Sequence, residues 1–393
     1  MSESVTTTNN TQSVIQYKWT KLSPVGAPPM ARSSHDISRI GSHCYLWGGE
    51  HQARTPIDST LYTYQVSDSV CEGVSDEARE CKWEAVQCSA DSPPPPSPRI
   101  AHSQAVIGTK LYIFGGRAGV TMNEQPFNDI HFFDTLTGCW SGPLSTSGTA
   151  PSPRSFHKVA SISNILYVFG GCGEQGRLAD LYSLDVNTLV WTALSTCESI
   201  KGRGGPSFAV VDSGKHLMVT TGFSGQENND IYLYHVETNE WTVVSSTRDG
   251  SEDNCNYFCP RSVCPSFTLQ NGNFMFLFGG EVSTSDRGHE GAGDFAADLV
   301  ALQCESSETN VERGLVRLVP TVNCSEEGAC PVARGWTSMT TISGGERDFG
   351  EATACGGHFL GKAVLFGGLS GDDVTPLRLD DTWLLTLQLV PSS

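Results

Sequence analysis

A pair of glycines ends an apolar, strand-like run at five places along this chain, in the segments LWGGE, IFGGR, VFGGC, LFGGE and LFGGL. A weaker copy, TTGFSG, places Gly222 between the third and fourth pairs. Each copy lies in a longer unit that has a Pro/Arg/His turn before it and a tryptophan strand after it. A repeat of this kind constrains the fold strongly, because each unit must bury its apolar face against a neighbouring copy.

The spacing of four tryptophans gives the length of the repeat. Trp83, Trp140, Trp191 and Trp241 are 57, 51 and 50 residues apart. A period near 50 residues is typical of kelch repeats, in which each copy is one four-stranded blade of a β-propeller. The turns that open the copies each carry an arginine, and we call them the arginine turns: Arg32, Arg99, Arg154, Arg203, Arg261 and Arg334. The sequence therefore predicts an all-β, six-bladed kelch propeller.

The two ends of the chain predict how the ring closes. The segment Tyr17–Leu22 has the character of a fourth blade strand, whereas the chain finishes near Trp383–Leu387 with the character of a third. We expect the N-terminal strand to pair there and complete the last blade, which leaves only short, protected sheet edges.

The ring would use the whole chain as one domain over residues 15–390. Residues 1–14 are rich in Ser, Thr and Asn, and we expect them to be a disordered tail. Two acidic insertions, near residues 67–98 and 305–330, are interpreted as surface loops.

The formal net charge of -18, with no basic run, argues against binding to nucleic acids or to anionic membranes. The start of the chain lacks the pattern of a signal peptide, and no apolar run approaches the length of a membrane span. We therefore expect a cytoplasmic location, with or without a nuclear fraction. The sequence leaves the oligomeric state open.

The 14 cysteines are spread over a large domain, and free thiols are the favoured interpretation. Cys255, Cys259 and Cys264 are close in sequence, and a zinc site is the weaker alternative because a second half with metal-site spacing is missing.

Alternate connections of a four-stranded blade lie on one face of the ring. The arginine turns and the residues after each glycine pair should therefore meet at one opening, which we call the mouth. Arginines around a concave opening suit a carboxylate, phosphate or sulfate, because the guanidinium offers a planar fork to paired oxygens. The alternative for the turn arginines is packing between blades.

The loop after the fifth glycine pair, GGEVSTSDRGHEGAGDF, is rich in groups that bind metals. It carries Glu281, Asp286 and His289 within a glycine-containing stretch. Carboxylates with an imidazole suit a mononuclear ferrous site, although the usual facial triad has two histidines and one carboxylate. A solvated loop without metal is the alternative.

At this point the chain resembles the plant specifier proteins, which are the epithiospecifier, nitrile-specifier and thiocyanate-forming proteins. The resemblance extends from about Trp19 to Leu387 and includes ARSSH with LWGGE, SPRSFH with GRLADLYS, the degenerate TGFSG, GGEV with GHEGAG, and RGWTSMTT. It implies enzymes that use ferrous iron, Fe(2+), to divert glucosinolate aglycones, released by myrosinase, toward nitriles, epithionitriles or thiocyanates. The acidic insertions and the cysteine content are atypical, so this chain could also be a relative from an organism without glucosinolates.

The resemblance also implies roles for single residues. Glu281 and His289 match two of the three iron ligands, whereas Ser285 holds the position of the ligand Asp, and Asp286 is one residue late. Arg117 and Arg177 resemble the arginines that hold the sulfate end of the substrate. Phe156 and Trp336 resemble the aromatic residues that hold its side chain.

Two hypotheses follow. The first is a specifier-like, iron-dependent lyase-type protein that acts on a sulfated thiohydroximate or on a related small anion. The second is a binding module without chemistry, in which the same mouth holds a protein partner.

Overall fold

The computed structural model describes residues 13–65, 80–119, 126–245, 258–304, 316–343 and 358–391, and its regular elements are almost all β-strands. The exceptions are two short 3-10 turns, Asp212–Gly214 and Gly288–Glu290. Within the described ranges there is no helix long and apolar enough to cross a membrane. Predictions were made for four parts of the chain that lie outside the described residues: 1–12, residues 67–79 of the first acidic insertion, residues 305–315 of the second insertion, and Cys255. The predictions for these parts stay predictions.

The strands follow the sequence repeats. The first repeat contains β1 (Ser13–Gly26), β2 (Asp36–Ile40), β3 (His43–Trp47), β4 (Glu50–Gln52), β5 (Thr55–Pro56), β6 (Tyr62–Gln65) and β7 (Glu80–Ala85). The second contains β8 (Ser103–Ile107), β9 (Lys110–Phe114), β10 (Ile130–Asp134) and β11 (Cys139–Trp140). The third contains β12 (Ser147–Gly148), β13 (Lys158–Ile162), β14 (Ile165–Gly173), β15 (Gly176–Asp185) and β16 (Val190–Ala193).

The remaining strands continue the pattern. The fourth repeat contains β17 (Ser207–Val211), β18 (His216–Thr220), β19 (Ile231–His235) and β20 (Glu240–Ser245). The fifth contains β21 (Ser266–Leu269), β22 (Phe274–Phe278), β23 (Glu281–Ser283), β24 (Asp294–Phe295), β25 (Leu299–Cys304), β26 (Val316–Val319) and β27 (Thr321–Asn323). The last contains β28 (Ser338–Ser343), β29 (His358–Ser370) and β30 (Leu377–Pro391). Most neighbouring strands of a repeat pair antiparallel, as β8 to β11 and β17 to β20 do, whereas β12 pairs parallel with β16.

The N-terminal strand joins the two ends of the chain. β1 pairs antiparallel with β30 in a register that places Tyr17 opposite Leu387 and Lys21 opposite Trp383. The predicted pairing of these segments is therefore present. The last residues of β1 then run parallel to β7, so that one nine-stranded sheet contains strands from the first and the last repeats.

The arginine turns meet around a circle of backbone hydrogen bonds. The residue two positions after each turn arginine has a positive φ, and its N–H donates to the carbonyl of the equivalent residue in an adjacent repeat. The circle returns to its first member and contains Ser34, Ala101, Phe156, Gly205, Val263 and Trp336. We call it the hydrogen-bond circle. It brings these six residues together.

The turn arginines themselves are packing residues. All six are buried, and each donates to a backbone carbonyl at the glycine-pair position, as Arg154 does to Gly170 at 3.0 Å. Five of them also pair with an aspartate at the start of the third strand, as Arg154 does with Asp180. The alternative of packing is therefore the observed role, and these arginines are not a receptor for an anion.

The glycine pair is required by close packing. Gly171 has a φ of 97°, and a Cβ atom there would lie 2.6 Å from the carbonyl oxygen of Ser155. Any side chain would therefore collide with the arginine turn and strain the backbone. This contact explains why the repeat ends its second strand with glycine.

Candidate functional site

Two repeated positions supply residues to the mouth. One is the member of the hydrogen-bond circle, and the other is the residue directly after the glycine pair. The second position forms a β-bridge to the residue that follows the turn arginine and is occupied by Glu50, Arg117, Cys172, Phe223, Glu281 and Leu369. The backbone repeats while the side chains differ, so a uniform scaffold presents a specific set of groups.

A cavity of about 500 Å³ opens at this face. Six of the seven predicted site residues line it: Arg117, Phe156, Arg177, Glu281, His289 and Trp336. The seventh, Asp286, is exposed and is not among the lining residues. The structure therefore brings together the predicted anion-binding, aromatic and acid/base groups, and it leaves Asp286 outside.

Arg117 and Arg177 are two arginines of the cavity lining. Arg177 lies on β15 with its guanidinium 4.5 Å from the centre of the Phe223 ring, a cation–π contact that orients the group. Arg117 forms β-bridges with Ile100 and Pro126. Burial raises the pKa of the Cys172 thiol between them, although both arginines act in the opposite direction. Cys172 is thus a neutral thiol near two positive charges.

Three rings of the cavity lining contact one another. Phe156 and Trp336 meet edge to face with 5.4 Å between ring centres. The His289 ring lies 5.1 Å from Trp336 and 6.0 Å from Phe156. Phe156 and Trp336 give the cavity an aromatic surface in addition to its two arginines. This combination suits a ligand with one apolar end and one anionic end.

His289 is held by a carboxylate from the first repeat. Its Nε2 atom lies 2.9 and 3.1 Å from the two carboxylate oxygens of the buried Glu50. Burial by itself would raise the pKa of Glu50, but His289 and Arg378 lower it below its ordinary value. The hydrogen bond fixes the orientation of the imidazole. Nδ1 is the ring nitrogen that does not take part in the contact with Glu50.

Glu281 is a buried acid of the cavity lining. Burial raises its pKa to about 7, although N–H groups of Ser285 and Gly293 donate to it and partly oppose the shift. Burial also raises the pKa of Glu227 to about 7, and the negative charge of Glu281 contributes to this shift. The cavity therefore has in Glu281 a carboxyl group that exchanges a proton near neutral pH.

The loop that follows Glu281 is fastened to the last repeat. The Ser285 hydroxyl donates to Asp373, and the backbone N–H of Asp286 donates to the same carboxylate at 3.0 Å. Arg287 donates through its side chain to the Asp373 carbonyl at 2.6 Å. The Asp286 side chain consequently lies on the outer side of the loop.

The residues as placed do not fit a three-ligand iron site. The Nε2 atom of His289 already bonds to Glu50, and Asp286 is outside the cavity. In the part of the chain that the structure describes, no group of three His, Cys, Asp or Glu side chains could hold a metal ion. Cys259 is exposed and Cys264 is buried, and neither belongs to such a group.

Two residues of the site were not anticipated from sequence. Asp373 fixes the loop, and Phe223 supports Arg177. Phe223 could have been found, because it follows the degenerate glycine Gly222 as Arg117 follows its glycine pair. Asp373 does not occupy a repeated position of this kind, so no sequence pattern indicated its role.

Comparison with known proteins identifies relatives of the whole chain and of its repeats. Residues 34–280 match the family described as the KLHDC2/KLHL20/DRC7 Kelch-repeats domain. The chain is 28% identical over 84% of its length to a protein of Thlaspi arvense named N-(sulfonatooxy)prop-2-enimidothioate sulfolyase, of which it covers 90%. It is also 27% identical to Kelch domain-containing protein 2 of Bos taurus over 57% of each chain.

A solved structure shares the fold. The structure of YjhT aligns with a TM-score of 0.58 at 15% identity, over 93% of this chain and 99% of that one. At this identity the likeness concerns the fold alone, and it agrees with an all-β propeller of the kelch type.

Proposed function

Because the chain belongs to the KLHDC2/KLHL20/DRC7 Kelch-repeats domain family, we propose that the mouth of its propeller binds a small sulfated anion and that the protein is a specifier-like lyase. The observation that carries the proposal is the composition of one cavity. Arg117 and Arg177 line it together with the aromatic residues Phe156 and Trp336. The plant relative that covers most of the chain is named for lyase action on an N-sulfonatooxy imidothioate.

The arginines give the cavity its chemistry. A guanidinium offers paired donors to a sulfate group, and this interaction becomes stronger as negative charge develops on a departing sulfate. The aromatic residues would hold the organic end of the same molecule. The substrate class we propose is a sulfated thiohydroximate, such as a glucosinolate aglycone, or a related small anion.

Ferrous iron is the cofactor that the family resemblance implies, and it stays a prediction. Glu281 and His289 are its candidate ligands, but they lack a third partner in the described residues. Metal content after anaerobic purification with ferrous iron tests the prediction directly, with His289→Ala as the variant that should hold none.

We also propose that the ring has six blades and is closed by β1. The circle of six backbone hydrogen bonds and the pairing of β1 with β30 support this arrangement. The closure matters for the site, because the cavity takes residues from all six repeats, from Arg54 in the first to Trp336 in the last.

A binding module without chemistry is the second candidate. The matched kelch family and the likeness to a bovine kelch domain-containing protein favour it. In this case the same mouth would hold a protein partner.

A product assay separates the two candidates. A glucosinolate treated with myrosinase releases its aglycone, and the protein should raise the ratio of nitrile to isothiocyanate. Arg117→Ala with Arg177→Ala should lower this ratio by roughly a hundredfold or more, since each charged contact contributes about 1.5–3 kcal/mol. A wild-type protein that changes no product ratio, with or without ferrous iron, would favour the binding module.

A further inference from the structure

The turn between β29 and β30 reaches into the cavity loop of the neighbouring repeat. Within this turn, Asp372 accepts hydrogen bonds from the N–H groups of Val374 and Thr375 at 2.8 and 2.7 Å. These bonds shape the turn, so that the next residue, Asp373, projects its side chain away from it. Asp373 is therefore presented on a rigid support.

The Asp373 carboxylate makes the main side-chain contacts between this turn and the loop over residues 284–291. One oxygen accepts from the Ser285 hydroxyl, and the other accepts from the backbone N–H of Asp286. The Ser285 oxygen in turn accepts from the N–H of Arg287 at 3.0 Å. Gly291 leaves room for this group, because a Cβ atom there would collide with the Asp373 carboxylate and with the Ser285 oxygen.

Two groups of the cavity lining belong to this part of the chain. Glu281 precedes it and His289 lies within it, and both line the cavity. The negative charge of Asp373 also reaches Glu281, where it adds to the effect of burial on that carboxyl group. A change at Asp373 is therefore transmitted to the cavity through the position of the loop.

We infer that Asp373 is a positioning residue of the binding cavity, and that Ser285 and Asp373 form a pair in which one side must be a carboxylate and the other a hydroxyl. A carboxylate on both sides would place two negative charges at hydrogen-bond distance, and a hydroxyl on both sides would leave the loop without its charged acceptor. The readout of ligand binding rests on the proposed function, whereas the readout of loop order does not.

A charge-swap cycle tests this inference. The proteins compared are wild type, Ser285→Asp, Asp373→Ser and the double variant Ser285→Asp/Asp373→Ser. Amide hydrogen exchange over residues 284–291 reports loop order, and the sulfate concentration that gives half of the maximal thermal stabilisation reports the cavity. Asp91→Asn, which changes an exposed carboxylate elsewhere, is the control for net charge.

Each single variant should speed exchange in the loop by about tenfold or more, the ratio expected when a hydrogen bond to a charged acceptor is lost. Each should also raise the half-maximal sulfate concentration severalfold. The double variant should return both quantities most of the way to wild type, as coupled neighbours do in a double-mutant cycle. Asp373→Asn, which keeps one acceptor oxygen, should fall between wild type and Asp373→Ser.

The inference fails if Ser285→Asp exchanges like wild type, or if the double variant shows the sum of the two single effects. If the wild type shows no response to sulfate, the proposed function fails, while the exchange data still decide the role of Asp373.

Discussion

A chain that lacks residues 1–24 should lose most of its stability and accumulate as aggregate. This deletion removes the part of β1 that contains four buried side chains, each at most 7% exposed: Ile15, Tyr17, Trp19 and Leu22. Burial of one such side chain contributes about 1.5–3 kcal/mol, so the four together supply roughly 6 kcal/mol or more. This is comparable with the total stability of a typical domain, about 5–15 kcal/mol.

The deletion also exposes backbone groups that β1 now covers. β30 would lose its antiparallel partner along ten residue pairs and would become a long open edge. Deletion of residues 1–12 is the matched control, because it ends just before β1 and should leave the melting temperature unchanged. If the longer deletion stays soluble and melts like wild type, β1 does not complete the sheet.

The second large effect is a loss of stability in acid. Burial lowers the pKa of His35 and of His102 to about 3, and it lowers the pKa of His157 in the same direction. These histidines are neutral in the folded state and gain protons on unfolding. Their contribution is complete above the ordinary histidine pKa of about 6.5 and falls as the pH drops toward 3. At pH 4 the loss is about 3 kcal/mol for each of His35 and His102.

Two carboxyl groups act in the opposite direction over part of this range. Glu227 and Glu281 have pKa values raised to about 7. Their protonation therefore increases the stability of the folded protein as the pH falls from 7 toward 4.5. The two sets nearly cancel between pH 7 and 5. We therefore expect a plateau of melting temperature over that range and a steep fall between pH 5 and 3.

Glu281→Gln is the control for this compensation. It removes one of the opposing groups, so stability at pH 7 should rise by about 3 kcal/mol and should then decline already from pH 6.5. A melting temperature that falls evenly from pH 7 to 3 in both proteins would contradict the assignment of the buried histidines and carboxyls.

The fold could be predicted from sequence because its cause is local and repeated. The glycine pairs, the turn arginines and the strand patterns recur in each copy, and the structure places them in equivalent contacts. The pairing of the chain ends followed from counting strands. The role of the turn arginines could not be decided in advance, because their aspartate partners lie 26 to 47 residues away.

Part of the site could be predicted because some of its residues also occupy repeated positions. Arg117 and Glu281 occupy the repeated position after the glycines, so topology alone brings them to the mouth. The fastening of the cavity loop depends on Glu50 and Asp373, which are 239 and 88 residues from their partners His289 and Ser285. Contacts that distant depend on how neighbouring repeats meet, and a single sequence does not show this.

The central claim is that Arg117 and Arg177 make an anion site in the cavity, and titration with sulfate tests it most directly. A ligand that binds only the folded state stabilises it by about 2.7 kcal/mol at 100 times its Kd. Because sulfate also stabilises proteins through exclusion from their surface, the wild type must be compared with the Arg117→Ala/Arg177→Ala variant at matched ionic strength. We predict a saturable rise in melting temperature that the double variant lacks. An equal and unsaturated rise in both proteins would contradict the site.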